Sequence, residues 1–277
     1  MDINEMIKLY NEGASLAGLG RIIGHSGATI KKQLVAAGIK IRTQKEQNVF
    51  TNKARKKALK EDYFSNITSP NQAWLMGFIA SDGAIRSNDN EIKIGLSSCD
   101  REILEKIQNE LEYTQGKIYD HQTHRGFLIS ELRWTSAQQK QDLARFGIVP
   151  NKTYKKMELP EIEEKLKLAF ILGYFDGDGS FSINKDARYC RLRFSAYRKE
   201  ILQSIADYLE KHYKAHYSLN DSHQRQMFEL SISTKFAISI LKDAYALCPL
   251  CLQRKKTKFL EYINHETTTS DIDEKIC

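Results

Sequence analysis

AWLMGFIASDGAI (Ala73–Ile85) and AFILGYFDGDGSF (Ala169–Phe181) align across thirteen positions, 96 residues apart. Each is a block of aliphatic and aromatic residues around a central glycine, closing on Asp-Gly. Further matches keep the same order. LSSCDREIL (Leu96–Leu104) corresponds to FSAYRKEIL (Phe194–Leu202) at an offset of 98, and NKT (Asn151–Thr153) to KKT (Lys255–Thr257) at 104. Ordered matches with slowly growing offsets are the mark of a duplicated domain with small insertions.

Within each copy the pattern predicts an apolar helix, two strands, an amphipathic helix, two more strands and a closing helix. In EIKIGLSS (Glu91–Ser98), Ile92, Ile94 and Leu96 alternate with Lys93, Gly95 and Ser97. In the second copy Leu192 and Phe194 alternate with Arg191, Arg193 and Ser195. A period of two with one polar, basic side describes a sheet that buries one face and offers the other to a ligand. The fold class expected is α+β: two pseudo-symmetric αββαββα repeats, 70–160 and 161–265, whose outer faces form a saddle.

The repeated helix is apolar nearly all round and so should be buried. Gly77 and Gly173 in its middle cost about 1 kcal/mol each relative to alanine, a cost that makes sense if two helix backbones approach closely there. Docked together, the helices bring Asp82 and Asp178 side by side at their C-terminal ends. Like charges resist that closeness, as does the negative end of each helix dipole. A divalent cation resolves the conflict, and Mg²⁺ is the expected one, with Mn²⁺ as a substitute. Such a centre beneath a basic surface suits phosphodiester hydrolysis.

LMGFIASDG (Leu75–Gly83) and ILGYFDGDG (Ile171–Gly179) resemble the paired motifs of LAGLIDADG homing endonucleases, over roughly residues 70–264. That resemblance implies a monomeric enzyme that cuts both DNA strands, with Asp82 and Asp178 as catalytic, metal-binding acids. It also implies that the carbonyls of Ser81 and Gly177 face the metal, and that Lys152 and Lys256 are the lysines near the scissile phosphates. One departure is Ala80 where the second copy has Asp176. An intron RNA maturase, or a DNA-binding transcriptional regulator on the same fold, is the alternative function.

The charge along the chain is lopsided. Residues 1–69 carry 12 basic and 6 acidic side chains, against 30 and 29 in the remainder, for +7 in all. A polyanion is the natural partner of such a front end. Ile3, Met6, Ile7 and Tyr10 share one helical face ending at Gly13. Leu16–Ile23 and a helix capped by Ser26 follow, separated by Gly24. This is a helix-turn-helix pattern over residues 1–42 that resembles the resolvase type, down to the closing AGIKIR (Ala37–Arg42). Thr29, Lys31, Lys32 and Gln33 would meet base edges, while Lys40 and Arg42 would hold phosphates. Residues 43–69, with the basic run Lys53–Lys60, read as a linker, part of it helical, that lies along the duplex backbone, and 266–277 as a disordered tail.

The side chains expected to face double-stranded DNA from the saddle are Arg86, Lys93, Ser97, Arg133, Ser182, Asn184, Arg191, Arg193 and Ser195. CPLC (Cys248–Cys251) lacks a second pair at zinc-site spacing. No apolar run is long enough to span a membrane. The odd, scattered cysteines fit reduced thiols, and the expected location is cytoplasmic, at the nucleoid of a bacterial or phage-infected cell.

Overall fold

The computed structural model describes residues 1–57, 59–184, 189–222 and 227–273, which divide into two compact units, Met1–Lys60 and Glu61–Cys277. The first unit is all helical: α1 (Ile3–Asn11), α2 (Leu16–Ile23), α3 (Gly27–Ala36) and α4 (Gln44–Lys57). Asp2, Ser15 and Ser26 cap the first three helices through backbone N–H groups three residues on, each meeting a donor the helix itself leaves unpaired. Met6, Tyr10, Leu19, Ile30 and Leu34 form its small core. Gly24, at φ +79°, ends α2 in the left-handed region that a side chain would disfavour.

The expected 43–69 linker is divided instead. α4 closes on the first unit, where the Gln47 amide donates to Gly13 O at 2.8 Å and the Phe50 ring lies against Gly13. Tyr63, Phe64 and Ile67 are buried in the second unit. The side chains of 53–57 and residue 58 lie outside the described residues.

In the second unit α5 (Pro70–Ser81), β1 (Gly83–Ile85), β2 (Glu91–Ser97), α6 (Arg101–Glu110), β3 (Ile118–Gln122), β4 (Leu128–Thr135) and α7 (Ala137–Arg145) make one αββαββα half. The other is α8 (Glu164–Asp178), β5 (Gly179–Asn184), β6 (Tyr189–Ala196), α9 (Lys199–Tyr213), β7 (Tyr217–Ser222), β8 (Met227–Ser233) and α10 (Thr234–Leu247). α11 (Gln253–Asp273) follows, so the expected tail boundary at 266 falls inside a helix, and residues 274–277 lie outside the described ones. The two sheets are antiparallel with the same order, β1-β2-β4-β3 and β5-β6-β8-β7.

Alternation does what its period requires. Ile92, Ile94, Leu132 and Trp134 point into one core, and Cys190, Leu192, Phe194, Leu230 and Ile232 into the other. α5 and α8 cross at the centre. Their hydrophobic surface is buried all round, from Ala73 to Ser81 and from Leu168 to Asp176. Ser69 and Gln72 form a capping box with Pro70 in the first turn of α5. A Cβ at Gly77 would lie 2.0 Å from Phe170 O, and one at Gly173 1.9 Å from Trp74 O. The crossing is therefore backbone on backbone, and only glycine fits. Among the described residues no helix is long and apolar enough to cross a membrane.

Candidate functional site

The α5–α8 crossing sets the geometry of their C-terminal ends. Nearer the tips, a Cβ at Gly177 would lie 2.0 Å from the Ser81 hydroxyl and 3.2 Å from Asp82 N, so the closing turns of the two helices also touch. Asp82 follows α5 as its cap, and Asp178 is the last residue of α8. Both carboxylates reach the surface. Desolvation by the protein packed behind Asp178, then repulsion from Asp82, push its pKa up to about 6, against the opposing pull of Lys152 and Lys255. Desolvation raises Asp82 as well, with Lys255, Lys152 and Arg254 acting the other way.

Two lysines attend this pair. The Lys152 ammonium, in a single 3-10 turn Lys152–Tyr154, donates to Ser81 O at 2.8 Å. Burial lowers its pKa, while Asp178 and Asp82 hold it up. In the second half the lysine at the motif is Lys255, not the expected Lys256. Lys255 is 8% exposed, and its ammonium donates to Phe175 O, Asp176 O and Gly179 O at 2.6–2.7 Å and to Gly177 O at 3.4 Å. Lys256 stands away from the acids, over the ring of Tyr245 at 5.7 Å. The physical reason is local: α11 begins at Gln253, and the inward side of its first turn falls on Lys255.

The carbonyls expected to face a metal, Ser81 O and Gly177 O, thus already accept from ammonium groups. The remaining donors are the two carboxylates. Among the described residues no group of three His, Cys, Asp or Glu could hold an ion. Two carboxylates completed by waters and phosphate oxygens are a donor set that suits Mg²⁺, so these residues fit hard divalent cations.

The two lysines differ in kind. Lys255→Met removes a buried ammonium that closes the end of α8, and unfolding stability should fall by about 3 kcal/mol. Lys152→Met, which removes one carbonyl bond, should cost less than about 1.5 kcal/mol. Urea denaturation of the two variants checks the order.

Asp176 has a structural explanation. It is fully buried, and its Oδ2 accepts from Trp74 Nε1 at 2.9 Å and from Leu252 N at 3.0 Å. Burial raises its pKa to about 7. By the repeat, Trp74 corresponds to Phe170 and Asp176 to Ala80. Where α5 offers an indole N–H, α8 offers a carboxylate. Phe170 has no N–H to donate, so the symmetric pairing requires no carboxylate at position 80.

The outer faces carry the expected polar residues, with additions the sequence reading missed. Glu131 lies almost buried between Lys93, at 2.8 Å, and Arg133. Burial pushes its pKa up, but hydrogen bonds from Lys93 and Arg133 outweigh that and hold it below the usual carboxylate range. Glu229 takes the matching position near Arg193, 3.7 Å away. Alternate placement on β4, beside Arg133, and on β8, beside Ser231, was the available signal. Arg86 is paired with Asp89 and Glu91. Ser97 and Asn184 are exposed at strand ends, and Ser182, Arg191 and Ser195 are half-buried.

In the first unit Thr29, Lys31, Lys32 and Gln33 lie outside the buried stripe of α3. Arg42 is not free for phosphate. Its guanidinium donates to Tyr10 O and Ala14 O and is sandwiched by the rings of Tyr10 and Phe50, at 3.9 and 4.5 Å.

Folding raises the Asp178 pKa, so the folded chain binds this proton more readily than the unfolded one. Its ionisation therefore costs stability as pH rises toward about 6, and the cost persists above that. Without divalent cations, the wild type should gain melting temperature relative to Asp178→Asn as pH falls from 8 to 4.5. Calorimetry of both proteins in chelator checks this.

Residues 165–237 match the family model of the LAGLIDADG-like domain, from α8 into α10. No curated protein matches the chain at a significant level. Among solved structures, the homing endonuclease I-WcaI bound to its DNA recognition sequence is 16% identical, with 72% of this chain and 91% of that chain covered and a TM-score of 0.48. I-DmoI in complex with DNA and Ca is 17% identical over 69% and 95%, TM-score 0.44. The N-terminal LAGLIDADG domain of WhiA is 14% identical over 67% and 81%, TM-score 0.41. The matched family segment thus begins on the helix that carries Asp178 and ends past the second sheet.

Proposed function

We propose that the chain is a divalent-metal-dependent, site-specific double-strand DNA endonuclease, acting as a monomer, with a helix-turn-helix unit that adds DNA affinity. The observation that carries this reading is the pairing of Asp82 and Asp178 at the ends of two crossed, buried helices, each in reach of Lys152 and Lys255. The relatives named above include DNA-bound endonucleases, which agrees with it.

Asp82 and Asp178 would hold Mg²⁺ or Mn²⁺. A cation there would supply Lewis-acid stabilisation of phosphodiester oxygens and acidify a bound water. Lys152 would orient a water or the phosphate from its place beside the acids. Lys255 would hold the end of α8, and so Asp178, in position. Lys93, Arg133, Arg191, Arg193, Ser182 and Ser195 would track the DNA, with the flanking phosphates bringing the scissile one over the acids. Hydrolysis adds water across one P–O bond: oxygen goes to phosphorus and a proton to the departing alkoxide.

One observation favours the regulator reading, in which the fold binds DNA without cutting it. The Lys152 and Lys255 ammonium groups already oppose part of the desolvation and repulsion that raise the acids' pKa values. Incubation with randomised duplex DNA and Mg²⁺ separates the two, since only the endonuclease yields defined breaks.

The front unit gives a further expectation. Deleting residues 1–60 should weaken duplex binding about tenfold or more and flatten its salt dependence, because fewer phosphate contacts release fewer counterions. Fluorescence anisotropy at two salt concentrations measures both; equal affinity and slope for the truncated chain would assign that unit another role.

A further inference from the structure

Beside Asp178 the second unit holds a cavity of about 180 Å³, room for roughly six waters and so for about one pyrimidine ring. Its walls are mixed in a way a water pool does not need. Tyr197, Ile201 and Met227 give flat and apolar surface, while Lys152 and Lys155 bring cations and Asp178 opens at one side.

Around it stand two exposed tyrosines, Tyr154 at 66% and Tyr197 at 42% exposure. Their rings pack on each other with centroids 5.7 Å apart. The pair is held in place by Arg198, whose guanidinium donates twice to Tyr154 O, at 2.9 and 3.2 Å. That strut ties the 3-10 turn carrying Lys152 to the β6–α9 junction. The cavity also continues a defined surface. Tyr189, Arg191, Arg193 and Ser195 occupy the less buried side of β6, and Tyr197 comes next in the same alternation.

Exposed aromatic rings beside cations, at the end of a basic strip, are what stacks an unpaired base while its phosphate is held. We propose that this cavity is a seat for a single unstacked nucleotide next to the scissile phosphate. The base lies against Tyr197, with Tyr154 as its backing, and Lys155 and Lys152 face the nucleotide's oxygens. The inference rests on the DNA reading above and adds to it a local opening of the duplex at the site. An unpaired or mismatched base costs least to move out of the stack.

The test needs no cleavage. The full chain, in chelator, is titrated against a 30-base-pair duplex and against the same duplex carrying one central unpaired thymine. The wild type should bind the bulged duplex about tenfold more tightly, and Tyr197→Ala should bring the ratio of affinities to about one. Tyr154→Ala should lower the ratio, and Tyr197→Phe, which keeps the ring, should retain it. With 2-aminopurine as the unpaired base, binding should quench its emission in the wild type and not in Tyr197→Ala. A wild-type ratio of one, or a ratio and quenching unchanged in both alanine variants, overturns the seat and leaves the endonuclease reading standing. Failure to bind either duplex overturns both.

Discussion

Replacing Asp178 by asparagine should convert double-strand cutting into nicking, slowing one strand roughly 10³-fold. Asparagine keeps the size of the side chain and removes the anionic oxygen that would hold the cation. Losing that stabilisation of the transition state is worth about 4 kcal/mol, three decades in rate. Asp82→Asn should do the same to the opposite strand. Because the carboxylates touch one another's titration, cutting of the other strand should also slow, though far less. Strand-specific end labels on a cleaved duplex report both rates, and equal loss on both strands would mean that the acids act as one unit.

The largest stability effect should come from a single methyl group. Gly173→Ala places a Cβ 1.9 Å from Trp74 O, and Gly77→Ala places one 2.0 Å from Phe170 O. The obstacles are backbone atoms of the opposing helix, which cannot rotate away, so the crossing itself must open. The cost should reach about 4 kcal/mol, at the upper end of single-residue effects. For a unit of this size that is a fall in melting temperature of roughly 8–16 °C. Gly95→Ala is the control, since its Cβ would meet only the Glu131 carboxylate at an ordinary 3.6 Å. Melting curves that leave Gly173→Ala and Gly95→Ala together would contradict the close crossing.

What the sequence discloses and what it conceals follow from range. The two helix blocks were legible because burial all round, a central glycine and a closing Asp-Gly are local patterns, and the repetition of all three adds a long-range one. Strand faces were legible from their period of two. The lysine assignment slipped by one residue because NKT and KKT match equally well over a short stretch. Which residue faces inward depends on whether the lysine sits in a 3-10 turn, like Lys152, or in the first turn of a helix, like Lys255. Arg42 looked like a phosphate contact because nothing near it in the chain announces Tyr10 and Phe50 as its partners. The helix within the linker was legible, but not the docking of α4, which rests on a few contacts such as Gln47 and Phe50 rather than on an apolar stripe. Ala80 looked like a loss because the sequence does not announce that Asp176 serves the indole of Trp74, a donor that Phe170 lacks. Tertiary partners decided each of these, and a one-dimensional reading carries no term for them.

The two acids at the helix ends should both be required for the chain to cut DNA. Incubating the full chain with a randomised duplex library and Mg²⁺, then sequencing the new ends, measures this directly. The wild type should give breaks at a recurring sequence, and the Asp82→Asn, Asp178→Asn double variant should give none while still binding. Tight binding with intact DNA in the wild type, or breaks that persist in the double variant, would contradict it.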